Sequence, residues 1–69
     1  MNEIRTQIDE MIKTLQTIEL LIRCIAGEQR NAERHTLYLR LEEARQTVIE
    51  SISNLRDSER VLDVYEQEE

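Results

Sequence analysis

Apolar residues fall at Ile4, Ile8, Met11, Leu15, Ile18, Ile22 and Ile25, steps of four and three that draw one stripe along a helix. Ile12 and Leu21 broaden that stripe into a face wide enough for more than one neighbour, which suits a bundle. Leu20 and Cys24 lie outside it. Asn2, followed by Glu3 in the first turn, predicts the N-cap. Gly27 comes after the last apolar position and predicts a C′ stop in the left-handed conformation, which glycine enters without steric cost. The polar run Glu28–Asn31 then reads as a connection, with Asn31 capping a second helix that opens on Ala32 and Glu33.

The second helix carries its own stripe: Leu37, Leu41, Ala44, Val48, Ser51 or Ile52, Leu55, Ser58, Leu62 and Tyr65. Its phase differs from the first, because continuing the first stripe in steps of seven lands on Gln46 and Glu43. One unbroken helix would turn its apolar side away from any partner, whereas a hairpin resolves the conflict. The expected fold is all-α: an antiparallel helical hairpin with helices at about 2–26 and about 32–66 and a hinge at about 27–31. The pattern predicts a four-helix bundle completed by dimerisation or by a partner. A reversal near Gln29 would set Ile22 against Leu37, Ile18 against Leu41, Leu15 against Ala44, Met11 against Val48, Ile8 against Ser51 and Ile4 against Leu55. Ala44, Ser51 and Ser58 then form a row of small residues that admits close backbone approach, or else lie at the stripe's edge.

Composition supports helices and a partner. The 69 residues include one glycine, no proline and two aromatics, Tyr38 and Tyr65, which removes the turn chemistry a sheet protein needs. Ordering so short a chain costs on the order of 100 kcal/mol of conformational entropy, which one small core barely offsets. At about 1.5 Å per residue the first helix spans about 37 Å and the second about 52 Å, so an overhang of about 15 Å is expected. It would leave Val61, Leu62, Val64 and Tyr65 uncovered, an interaction site ringed by acids.

The net charge of −6 is unevenly placed: residues 1–56 carry eight bases against nine acids, and residues 57–69 carry Arg60 against six acids. That end disfavours nucleic acid and anionic membrane. A single cysteine, Cys24, allows no intrachain disulfide and fits a reducing compartment, with a buried or interfacial thiol expected. The opening run lacks a signal-peptide core, and the longest apolar stretch, Leu20 to Ile22, cannot span a membrane. A cytoplasmic location is expected.

No constellation points to catalysis, a cofactor or a metal. His35 is the sole histidine, and its neighbours Cys24, Glu28, Glu33 and Arg34 match no ligand spacing. Glu42–Glu43 and Asp9–Glu10 read as solvated helix faces, with Glu42–Arg45, Asp9–Lys13 and Glu19–Arg23 as helix-supporting pairs. Arg23, Arg30, Arg34, Arg40 and Arg45 cluster around the hinge and raise an alternative, a helical homodimer binding structured RNA or DNA. Few aromatics and the interleaved Glu28, Glu33, Glu42 and Glu43 weigh against it. A second alternative is an acidic inhibitor of a nucleic-acid-binding enzyme.

The single break at Gly27 and the segment Thr36-Leu37-Tyr38-Leu39-Arg40-Leu41-Glu42-Glu43-Ala44 resemble the small helical-hairpin co-chaperones of type III secretion needle subunits. The resemblance implies a cytoplasmic protein that keeps an aggregation-prone subunit soluble by presenting helical faces. It makes Leu37, Leu41, Val48, Ile52 and Leu55 contact candidates, beside Val61, Leu62 and Tyr65 of the overhang. The leading expectation is a non-enzymatic protein–protein interaction module, a small chaperone or regulator, working as a homodimer or heterodimer through helix packing.

Overall fold

The structure, a computed structural model, describes residues 2–68, with side chains from 3 to 67. Helix α1 runs Asn2–Glu28, a 3₁₀ turn covers Ala32–Arg34, and α2 runs His35–Glu68. They form an antiparallel hairpin of 57 × 14 × 10 Å with a radius of gyration of 16.2 Å. A compact chain of this length has a radius near 11 Å. The molecule is a two-helix rod with a single seam.

The turn differs from the expected stop. Gly27 lies inside α1, and neither it nor any other described residue has a positive φ. The helix continues to Glu28, and the Gln29 N–H closes the last turn on the Ala26 carbonyl at 3.0 Å. A left-handed C′ residue is unnecessary because this tight bond already satisfies an end carbonyl. Asn31 is the cap, as its position predicts: extended backbone (φ −143°, ψ 164°) and a side-chain Oδ1 accepting from the Arg34 N–H at 3.0 Å. Asn2 is itself the first helical residue, and its side chain lies outside the described ones.

Both seams are rotated from the expected phase by about 50°. On α1 the covered positions are Arg5, Ile8, Ile12, Leu15, Glu19, Ile22 and Ala26. On α2 they include Tyr38, Leu41, Arg45, Val48, Ile52, Leu55, Glu59, Leu62 and Glu66. The expected residues Ile8, Leu15, Ile22, Leu41, Val48, Leu55 and Leu62 stay in the seam. The other half of each stripe is replaced by the residue one position later. The physical reason is that the apolar arc of α1 is wider than one helix can cover, so the facing helix takes one side of it. That side lets charged seam residues pair across the hairpin. Arg45, held along α2 by Glu42 at 2.8 Å, reaches across to Glu19 at 3.2 Å, and Arg5 reaches across to Asp63 at 2.6 Å and Glu66 at 3.1 Å. These partly exposed pairs specify register more than they stabilise.

The register corrects the expected pairing. Glu19 faces Arg45 and Arg5 faces Asp63, so the chain reverses near Ala32 rather than near Gln29. The 15 Å overhang is therefore absent: α1 side chains tilt towards their own N-terminus and reach the end of α2. Leu62, expected to be uncovered, is only 8% exposed and joins Ile8, Ile12 and Ile52 in the core, with Leu15, Val48 and Leu55 packed against it. Ile52 is likewise committed within the hairpin at 9%. Val61, Val64 and Tyr65 remain about half exposed.

Candidate interaction face

The rotation of both seams leaves two rows outside the core. Ile4, Met11, Ile18 and Ile25 form one row on α1, seven residues apart and 38–48% exposed. Leu37, Ala44, Ser51, Ser58 and Tyr65 form the matching row on α2, with Ser51 half-buried and the others exposed. In antiparallel helices an equal shift of both seams along the sequence displaces both rows to the same side of the hairpin. A shallow groove runs along that side, lined by Gln7, Met11, Thr14 and Leu15 of α1 and Leu55 of α2, with Glu10 at its rim. The small residues Ala44, Ser51 and Ser58, expected between the helices or at the stripe's edge, belong to this outer face.

Charge is missing from the face along most of its length. Its outer neighbours are Gln7, Thr14 and Leu21 on α1 and Thr47, Asn54 and Val61 on α2. No ionisable side chain other than Tyr65 enters these four rows between Ile4 and Ile25 or between Ala44 and Tyr65, in a chain with 24 charged residues. Its serine and threonine hydroxyls are already satisfied. Ser51 donates to the Thr47 carbonyl at 3.1 Å, Ser58 to the Asn54 carbonyl at 3.1 Å, Thr47 to the Glu43 carbonyl at 3.2 Å and Thr14 to the Glu10 carbonyl at 3.0 Å. Folded back on their own helices, these groups present methyl and methylene surface that can be covered with little desolvation cost. The opposite side is different, lined by Gln16, Glu19, Ile49, Arg56, Asp57 and Arg60.

The contact candidates divide on this frame. Leu37 and Tyr65 lie in the uncharged face, Leu41, Val48 and Leu55 are half-buried at its floor, and Val61 is at its rim. Ile52 and Leu62 face the other helix instead. Ile4, Met11, Ile18 and Ile25 are the members that sequence reasoning assigned to the hairpin core. Their strict spacing of seven was visible, but nothing in the spacing says which half of a wide stripe the second helix covers.

At the turn, Arg30 sits 5.9 Å over the Tyr38 ring and His35 stacks on Tyr38 at 6.4 Å. Arg34 donates to Gln29 at 3.0 Å and Arg40 to Glu43 at 3.0 Å. At the open end Arg5 is held more firmly protonated than an ordinary arginine, chiefly by hydrogen bonds to Glu66 and then Asp63. Across the hairpin from it, the half-buried Glu59 carboxyl shares a hydrogen bond with Asp9, and this contact, with desolvation and the Asp9 charge, raises its pKa despite the opposing Arg5. Cys24 is exposed in the hairpin. Among the described residues, no cluster of three His, Cys, Asp or Glu could hold a metal, and no helix is long and apolar enough to cross a membrane. The fold thus defines a two-helix antiparallel hairpin with one uncharged face. Searches against protein families, curated proteins and solved structures find no match.

Proposed function

We propose that this chain is a non-enzymatic protein–protein interaction module, a small chaperone or regulator that lays the uncharged face of its hairpin against the helices of another polypeptide. The observation that carries this reading is the pair of rows led by Met11 and Ile18 on α1 and Ala44 and Ser51 on α2. Large apolar side chains beside a small-residue row form a ridge and a furrow at helical spacing, the relief into which another helix packs. Exposed apolar area of this continuity marks an interaction site. An aggregation-prone helical subunit, of the kind handled by needle co-chaperones, is one client with fitting chemistry.

The arginines of the hinge support nucleic-acid binding less well. Arg45 is clamped between Glu42 and Glu19, and Arg40 is paired with Glu43. Arg45 lies in the seam rather than in an open basic patch.

A photo-crosslinking residue at Ile18, compared with one at Gln16 on the opposite side, tests the reading in cells that make the protein. Protein adducts at Ile18 with none at Gln16 are expected. Equal yields from the two positions, or adducts with nucleic acid, overturn it.

A further inference from the structure

We infer that the occupant of the uncharged face is a second copy of this chain, placed by a two-fold axis through Ser51 so that the two turns lie at opposite ends of a four-helix bundle. The inference rests on the proposed function and names its partner.

Register supplies the first argument. The row on α2 is symmetric about Ser51: a two-fold axis there sets Ser51 on itself, Ala44 on the second copy's Ser58 and Leu37 on the second copy's Tyr65. The row on α1 is symmetric about a point between Met11 and Ile18, which pairs those two and pairs Ile4 with Ile25. One axis satisfies both rows only if the two centres lie at one height, and the hairpin puts them there. The cross-helix contacts Glu19–Arg45 and Arg5–Asp63 set Ser51 opposite about residues 13–17. Small residues then meet along α2, where backbones approach closely, and large ones meet along α1. A self-complementary patch of this kind is what an isologous interface requires.

Charge chooses between the two ways of stacking a hairpin on itself. Residues 23–40, around the turn, carry four arginines against two glutamates, whereas residues 3–10 and 57–67, at the open end, carry seven acids against two arginines. Turns at opposite ends set the arginine-rich turn of one copy level with the acidic open end of the other. Turns at the same end would set the two acidic ends side by side, which like-charge repulsion opposes. The rows of the face bring no charge of their own between Ile4 and Ile25 or between Ala44 and Tyr65, and Glu10 stands at the rim of its groove.

Area gives the third argument. The hairpin exposes 5361 Å². A compact monomer of 8.2 kDa exposes about 4,500 Å². The excess is about 800 Å², the area that one partner contributes to a standard stable interface.

The test uses the full chain. Sedimentation equilibrium from 1 to 100 µM should give a mass twice the 8.2 kDa of the chain. Met11→Glu with Ile18→Glu should weaken self-association by at least about 100-fold, because each of the two pairs of facing positions would bury two carboxylates. Gln16→Glu on the opposite side should leave it unchanged. In a Cys24→Ser background, Ser51→Cys should cross-link to itself on mild oxidation, whereas Ser53→Cys should not. Spin labels at Asn31→Cys should lie about 60 Å apart. Circular dichroism of each variant checks helix content. A helical monomer at 100 µM overturns self-pairing, and so does a short label distance or a dimer insensitive to Met11→Glu with Ile18→Glu. If the copies stay apart while Ile18 still captures another protein in cells, the self-pairing falls and the function proposal stands.

Discussion

Replacing Gly27 with alanine should stabilise the hairpin, and the sign of the effect tests the turn. Gly27 sits one residue before the end of α1 with a negative φ, and a Cβ built on it meets no atom within 4 Å. The methyl group therefore costs nothing sterically. Alanine is favoured over glycine by about 0.8–1.0 kcal/mol in a helix interior. The gain arises largely because alanine has less freedom to lose from the unfolded chain. At the penultimate helical position fraying reduces it to about half, near 0.5 kcal/mol. For a chain of this size that raises Tm by about 2–4 °C. Had Gly27 been the left-handed stop that its place in the sequence suggests, alanine would cost about 1–2 kcal/mol and lower Tm by several degrees. The assay is thermal and urea unfolding of the full chain, wild type and variant at matched concentration, since association alters Tm by mass action. A lower Tm for Gly27→Ala would refute the continuation of α1 through Gly27 to Glu28.

Two further outcomes follow from burial and charge. Leu62→Ala should cost about 2–3 kcal/mol in urea unfolding, because Leu62 is packed against Ile8, Ile12 and Ile52. Val64→Ala, at a position 52% exposed, should change stability by less than about 0.5 kcal/mol, and equal losses would contradict the seam phase. For Glu59, a pKa raised on folding contributes stability that is full below the ordinary value of 4.5 and is lost as pH rises through the raised value. Glu59→Gln should flatten that decline in melts taken from pH 3.5 to 7.5, and an unchanged profile would show that the contact with Asp9 does not couple to folding.

Much of the hairpin is legible in the chain. The steps of four and three from Ile4 to Ile25, the change of phase after the break and the Asn31 cap each name their element, because backbone periodicity and orphan N–H groups act locally. The seam phase is not local. Ile4, Met11, Ile18 and Ile25 are indistinguishable by spacing from the residues that do face α2, and the choice between them is made by Arg45 and Arg5 finding carboxylates across the hairpin. Charged residues at Arg45, Glu59 and Glu66 read as polar-face positions, yet they complete the α2 seam. Gly27 misleads for a similar reason: its permissiveness is available but unused once Gln29 and Asn31 close the turn. The consequence reaches the candidate site, since the same rotation that buries Ile12 exposes the row led by Met11.

The core lies far from the turn. Ile8, Ile12, Ile52 and Leu62 are clustered in the open half of the rod, where Arg5 and Asp63 meet across 58 positions of chain, while the turn half contributes only Ala26 to the buried set. A helical pair with its best contacts beside its hinge could form progressively, each turn rewarded as it closed. Here the reward comes last. Closing a loop of about forty residues costs about 1.2 kcal/mol more than closing one of about ten, and it must be met before the buried core contacts repay it. The native molecule is therefore held as a clasp rather than as a zipper: the Asn31 turn aligns the two arms, and the largest share of the burial that holds them lies at the opposite end.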